Sequence, residues 1–315
     1  MIVFLLSCAS SSNQSTPIID TDSGFEDTGE DTGEDTSDLP LYLLYDQDED
    51  GFLSWQVEHN PELADCDDFD PTITPNKERF VQEGSFPFGE SGTDLDLSSF
   101  CIDRLEVDNE QFVAFMEHQR LNGFPNQTSD GLPLFDFEDN DDEYPERIVL
   151  RTDGKYEAKV GFEQHPVVEV WYWAAQAYCQ WNNKDLPSEE QWEKAARGTA
   201  GSTFPWGEEQ PHCELANYWP RTETGEPAER CVDDTVVTVS YPQGASPYGA
   251  LNMAGNVAEW VEGYFSDTER LSRGGSLGTG SGSLRTFHRT PEPLEATSNG
   301  LGFRCRRELT PENSR

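Results

Sequence analysis

The chain has 315 residues and a formal net charge of −40 at pH 7, long enough for more than one domain of ordinary size. A charge of that sign excludes nucleic acid and anionic lipid as partners bound by electrostatics, while it can concentrate divalent cations. Only 35% of the residues are hydrophobic, yet there are 18 Phe, 10 Tyr and 8 Trp, a balance that predicts a loop-rich domain pinned by aromatic packing rather than a helical bundle.

The chain opens Met1-Ile2-Val3-Phe4-Leu5-Leu6-Ser7-Cys8-Ala9, which resembles the end of a bacterial lipoprotein signal. Cleavage before Cys8 would free its thiol for diacylglycerol, and Ala9 rather than Asp after it points to the outer membrane. The sequence therefore implies a lipid-anchored protein of the bacterial cell envelope, with residues 1–8 as the end of the signal. Residues 9–40 repeat Glu-Asp-Thr-Gly and hold no base after Asp20. With no hydrophobic face to repay chain entropy, they read as a disordered acidic linker.

Residues 41–76 form an Asp-rich segment of a different kind. Asp46, Asp48 and Asp50, followed by Gly51, match the opening of a calcium loop, in which alternate carboxylates converge on one ion. The twelfth position is Val57 rather than Glu, so this is no EF-hand; with Asp65-Cys66-Asp67-Asp68 it resembles the short calcium repeats of thrombospondin type 3.

The main domain is expected over residues 97–308, with 309–315 as a tail. Asn109 is expected to cap a helix that carries Phe112, Phe115 and Met116 at helical spacing. Short strands are expected at Arg147–Leu150 and Tyr156–Ala158. A helix from Trp171 to Trp181 would set Ala174, Ala177, Tyr178 and Trp181 on one face. Ser188 with Gln191 predicts a capping box for the next helix. From Gly198 onward Gly, Pro and short apolar runs exclude a long helix. Setting Cys8 aside leaves six cysteines, an even number that in an exported chain implies disulfides. Cys213 and Cys231 flank one loop and are expected to pair.

Several segments together carry a family resemblance: His165-Pro166-Val167-Val168, Ala177-Tyr178-Cys179-Gln180-Trp181, Leu186 to Gly198, Phe204-Pro205-Trp206-Gly207, Asn252-Met253-Ala254-Gly255-Asn256-Val257-Ala258-Glu259-Trp260, Arg273-Gly274-Gly275-Ser276 and Leu301-Gly302-Phe303-Arg304-Cys305. The chain resembles the formylglycine-generating-enzyme (sulfatase-modifying-factor) family. The resemblance implies an irregular α+β fold, a variant of the C-type lectin fold, and a Cys179–Cys305 disulfide; Cys66–Cys101 then follows by elimination. It also implies calcium held by Asn252, Gly255, Val257 and Glu259, hard oxygen donors along one turn. A second calcium site would start at Asn217 and Tyr218 and draw on the loop near Asp233 and Asp234.

The family's reaction, oxidation of a substrate cysteine to formylglycine, uses copper held by two cysteines after the Gly-Gly-Ser. Here those positions fall near Thr279 and Ser281, in a stretch Leu277–Arg285 with no thiol. Hydroxyls do not hold copper(I), so no copper is expected and the catalytic residues are absent. A calcium-stabilised module that binds an extended peptide or a glycan is the reading that follows. The alternative is a metal-dependent modifying enzyme that uses another site, with His288 and Asp or Glu ligands. Glycine and serine over Gly278–Ser283 predict an open, flexible floor to the groove.

Overall fold

The computed structural model describes residues 52–54, 64–67, 73–137, 146–221, 225–226 and 228–309. Cys8, the acidic linker, Asp46, Asp48, Asp50 and the 310–315 tail lie outside those residues. No helix among them is long and apolar enough to cross a membrane.

The architecture is α+β, with short strands and three helices among the described residues. The strands are β1 (Leu53–Ser54), β2 (Ala64–Asp65), β3 (Glu78–Val81), β4 (Gly84–Phe88), β5 (Thr93–Leu97), β6 (Phe100–Asp103), β7 (Ile148–Leu150), β8 (Tyr156–Ala158), β9 (Ala258–Ser266), β10 (Glu269–Arg273), β11 (Thr290–Pro293), β12 (Leu301–Gly302) and β13 (Arg306–Glu308). The helices are α1 (Asn109–Leu121), α2 (Tyr172–Trp181) and α3 (Glu189–Arg197). One sheet runs β11-β10-β9-β12 and another β13-β6-β3, while β4–β5 and β7–β8 are hairpins. In the second sheet Phe80 faces Cys101, and Arg307 faces Cys101 from the other side, so the chain's C-terminal strand closes onto its early strands. Because β3 and the β4–β5 hairpin belong to this folded body, its ordered pairing reaches upstream of residue 97.

Both capping boxes follow from local chemistry. Ser188 Oγ accepts from the Gln191 N–H at 3.2 Å, and the Gln191 side chain returns to the Ser188 N–H at 2.9 Å. The cap of α1 is Asp108, paired reciprocally with Gln111, and not Asn109. Asn109 is fully buried and instead donates through Nδ2 to the carbonyls of Phe162 and His165, tying the helix start to the His-Pro-Val-Val segment. That long-range use of its amide is invisible to a local capping rule.

The larger core joins α1 to α2. Phe112 stacks on Tyr178 at 5.8 Å, and both rings meet Phe303 edge-on at 6.1 and 5.4 Å. Phe115, Met116, Ala174, Ala175 and Trp260 complete it. A second cluster packs Trp192, Ala195 and Ala196 of α3 against Phe100, Ile102, Met253 and Leu271. Of the expected α2 face, Ala174 and Tyr178 are buried and Ala177 packs against the core, but Trp181 is left 37% exposed, while Tyr172, Ala175 and Cys179 also go inside.

All six cysteines of this region are paired, as Cys66–Cys101, Cys179–Cys305 and Cys213–Cys231. Cys179–Cys305 spans 126 residues and sits inside the larger core, so it removes more unfolded-state freedom than the short Cys213–Cys231 loop of 18. Replacing Cys179 and Cys305 together by alanine should lower unfolding free energy by about 2–5 kcal/mol. Denaturant titration of the double variant beside a Cys213→Ala/Cys231→Ala control, which should lose less, checks the order.

Candidate functional site

Asn252 to Glu259 forms a tight, buried turn that runs into β9. Asn252 and Asn256 take φ of 55° and 60° and Gly255 takes 81°. A Cβ on Gly255 would stand 2.4 Å from the Asn217 carbonyl oxygen, so only glycine lets the two turns approach. The Asn256 N–H donates to that same carbonyl at 2.8 Å, and the Leu277 N–H donates to the Asn256 carbonyl at 2.9 Å. The Asn217 turn, the Asn252–Glu259 turn and the Gly-Gly-Ser turn are thereby stitched into one body.

The side chains of this turn meet three groups. Asn252 Nδ2 donates to Glu106 Oε2 and to the Thr238 carbonyl, both at 3.0 Å, and Asn256 Nδ2 donates to both Glu106 oxygens at 3.2 and 3.0 Å. Burial, with the nearby Glu259 charge adding to it, pushes the Glu106 carboxyl up to about 8 against the pull of Arg304 and the two amides. Glu259 accepts from Arg304 Nε at 2.8 Å, from Arg304 Nη2 at 2.7 Å and from Trp192 Nε1 at 2.7 Å. Asn252 and Glu259 thus share one buried polar cluster, in which both oxygens of Glu259 already serve Arg304. Gly255 and Val257 are buried in the same turn.

Asn217 is fully buried, and its Nδ2 donates to the Asp234 backbone carbonyl at 2.8 Å. Its Oδ1 has no hydrogen-bond partner among the described residues, which is uncommon for a buried amide. The structure thus brings Asn217 to Asp234. The Tyr218 carbonyl accepts from the Cys231 N–H at 3.2 Å, so the Cys213–Cys231 loop closes over the same turn. Asp234 itself pairs with the buried Arg147. An amide oxygen, a backbone carbonyl and a carboxylate are the donor types a hard cation takes.

After β10 the Gly-Gly-Ser turn is tightly held. A Cβ on Gly275, at φ 68°, would stand 2.8 Å from Thr279 Oγ1. That hydroxyl accepts from the Ser276 N–H at 2.9 Å and donates to the Ser276 carbonyl at 3.0 Å, so Thr279 closes the turn where the family resemblance would place a metal-binding thiol. Ser281 begins a 3-10 turn, Ser281–Leu284, anchored by the fully buried Leu284. The segment is therefore a pair of hydrogen-bonded turns and not the loose floor that its glycines predict. His288 lines an open cleft of about 710 Å³ with Phe88, Glu90, Arg285, Phe287 and Arg289; neither Thr279 nor Ser281 reaches it. Burial first, then the charges of Arg273 and Arg285, pull the His288 imidazole below its ordinary pKa, and two neighbouring guanidinium groups oppose a bound cation.

A family model for the sulfatase-modifying factor enzyme 1-like domain matches residues 68–309. The chain belongs to this family. It is 30% identical over 260 residues to the serine/threonine-protein kinase pkn1 of Chlamydia caviae, covering 72% of this chain and 37% of that protein. The chain thus spans well under half of the kinase relatives' length. It is 35% identical over 153 residues to the inactive C-alpha-formylglycine-generating enzyme 2 of Bos taurus, covering 45% of this chain and 50% of that one. With the formylglycine-generating enzyme of Thermomonospora curvata it shares 28% identity over 253 residues, 66% of this chain and 82% of the other. PvdO from Pseudomonas aeruginosa superposes with a TM-score of 0.52 at 20% identity, over 74% of this chain and 94% of that one, and CarF with 0.52 at 21%, over 75% and 99%. These two share the fold.

Two members of the cluster carried no assigned role in the sequence, Glu106 and Arg304. Arg304 lies between Phe303 and Cys305, both fully buried; a charge flanked by core residues is the signal that a buried partner exists. Glu106 gives no such signal, since its partners are about 146 residues away. Arg304→Ala should lose about 3–5 kcal/mol of stability by leaving Glu259 buried and unpaired. Arg304→Met combined with Glu259→Leu should lose less than the sum of its single changes, and a double-mutant cycle from denaturant unfolding measures that difference.

Proposed function

We propose that this chain is a ligand-binding member of the family that has given up cysteine oxidation. One observation carries the reading: Leu277–Arg285 contains no thiol, and the six cysteines from Cys66 to Cys305 are all consumed in disulfides. Copper(I) needs soft thiolates, and Thr279 Oγ1 is committed to the Ser276 backbone. That relatives at 35% identity carry the name inactive formylglycine-generating enzyme 2 supports the same conclusion.

Calcium is proposed as a structural ion. The Asn217–Tyr218–Asp234 set suits it best, because Asn217 Oδ1 is a buried oxygen with no hydrogen-bond donor among the described residues, although an ion there would share the Asp234 carboxylate with Arg147. At the Asn252, Gly255, Val257 and Glu259 set an ion would have to share Glu259 with Arg304. The ion would supply no reaction; it would tie the Cys213–Cys231 loop to the Gly255 turn. The lipid on Cys8 would hold the module at the cell envelope, and the cleft beside Arg285 and Arg289 is the face proposed to receive an extended peptide or glycan.

The test uses the oxidised chain from Cys8 onward with a cysteine-containing peptide, copper(I) and oxygen. Mass spectrometry should find the peptide cysteine unchanged and no bound copper after desalting. Calcium at about a hundredfold its Kd should raise the melting temperature by about 5–10 °C, and Asn217→Ala should abolish that rise. Aldehyde formation with stoichiometric copper would overturn the proposal.

A further inference from the structure

A second cleft, of about 420 Å³, lies between α1, α2 and the 128–132 turn. Its α2 wall includes Ala177, Gln180 and Trp181 of the family framework, but the proposed function leaves the cleft unused. Its walls come from two helix stripes. Trp173, Gln176, Ala177, Gln180 and Trp181 recur at i, i+3, i+4, i+7 and i+8 of α2, and Phe115, His118 and Gln119 at i, i+3 and i+4 of α1. On an ordinary packed helix such a stripe would be aliphatic core. Here the α2 stripe carries two indoles, two carboxamides and an alanine and is only partly buried, with Phe115 of the core behind it.

The two indoles are held in place before any ligand arrives. Trp173 donates Nε1–H to the Pro133 carbonyl at 2.7 Å and stacks on Trp171 at 5.7 Å. Trp181 leans on Phe115 and His118, each at 5.5 Å, and on Tyr178 at 6.0 Å, while remaining 37% exposed. Aromatic surface kept partly bare and rigid supplies contact area at little entropic loss.

Between the indoles stand solvent-accessible hydrogen-bonding groups that no other described residue engages. The side chains of Gln119, Gln176, Gln180 and Asp130 make no hydrogen bond within the described residues. Each carboxamide offers two donors and an acceptor oxygen. Among the described residues, the titratable groups lining the cleft are His118 and Asp130, with no Lys or Arg.

We infer that this cleft binds a neutral pyranose ring, as a free sugar or a glycan residue. The C–H face of a pyranose meets an indole, and its hydroxyls, each donor and acceptor at once, match a row of carboxamides and one carboxylate. The volume falls within the ordinary range of small-ligand pockets and suits one or two rings. With no Lys or Arg among the described lining residues and Asp130 at its edge, the cleft disfavours sialic acids, uronic acids and phosphorylated sugars. An extended peptide is disfavoured because the main walls are helices whose backbone groups are spent internally, leaving no strand edge to augment. The inference concerns a different face from the cleft beside His288 and stands whether or not oxidation is lost.

The experiment titrates the full oxidised chain with methyl glycosides of glucose, galactose, mannose and N-acetylglucosamine. Tryptophan fluorescence and saturation-transfer NMR read the binding. At least one glycoside should bind saturably in the millimolar range, with saturation transfer strongest from the ring C–H protons, and methyl glucuronide should not bind. Gln176→Ala/Gln180→Ala should weaken the bound glycoside by at least about tenfold. Those side chains have no internal partner, so its melting temperature should stay within about 1–2 °C of the parent. Trp181→Phe, which keeps an aromatic ring against Phe115, should weaken binding severalfold with the fold retained. The inference is overturned if none of the four glycosides binds, if methyl glucuronide binds as well as the neutral sugars, or if the folded double variant binds unchanged.

Discussion

Arg304 is a fully buried guanidinium whose nitrogens all point at something specific. Nε and Nη2 take the two oxygens of Glu259, Nη1 donates to the carbonyls of Asp103 and Arg104 at 3.0 and 3.1 Å, and Nη2 also donates to Leu251 at 2.7 Å. An uncompensated charge at this depth would be intolerable. The chain must therefore bring the end of β6, the residue before the Asn252 turn, the start of β9 and the link between β12 and β13 to one point. The Cys179–Cys305 disulfide fastens the adjacent residue to α2, and the Cys305 N–H donates to Asp103 at 2.9 Å. A covalent link and an ionic link thus close the domain side by side, and the short strands around them need little strength of their own.

A parallel arrangement organises the other side. Arg273, buried at the end of β10, pairs with Glu189 and Glu193 of α3, and Glu193 also pairs with Arg197 at 2.8 Å and accepts the Gly89 N–H at 2.6 Å. The capped helix, the β4–β5 hairpin and the Gly-Gly-Ser turn are oriented by these charges. None of them needs the thiols that would follow the turn in an oxidising relative. The ion pairs of this framework are thus independent of the stretch in which Thr279 turns inward to close its own backbone turn.

The same independence leaves surfaces free to change. The helices α1 and α2 give one face to the aromatic core, through Phe112, Phe115, Met116, Tyr172, Ala174, Ala175, Tyr178 and Cys179, with Trp173 and Ala177 packed partly against it. Trp173, Trp181 and the three glutamines on the outward stripes bear none of the ion pairs that hold the domain.

Much of the fold was legible in the residues because its determinants are local or framework-wide. The Ser188–Gln191 capping box, the strands at 148–150 and 156–158, the apolar spacing of Phe112, Phe115 and Met116, and the pairing of Cys213 with Cys231 all act over short distances. The missing thiols after Gly-Gly-Ser are equally a matter of sequence alone. Tertiary structure decided what depends on meeting distant partners. Asp108 rather than Asn109 caps α1, because the Asn109 amide has carbonyls to satisfy more than fifty residues away. Glu259 is matched to Arg304, and Glu106 to two asparagines, across separations that no helical or strand period encodes. Trp181 faces outward, since the interior position beside Phe303 is already filled by Tyr178. Residue types and their periods set which elements form and that no thiol follows the Gly-Gly-Ser; only the folded chain decided which charges are buried and which aromatic rings stay partly bare.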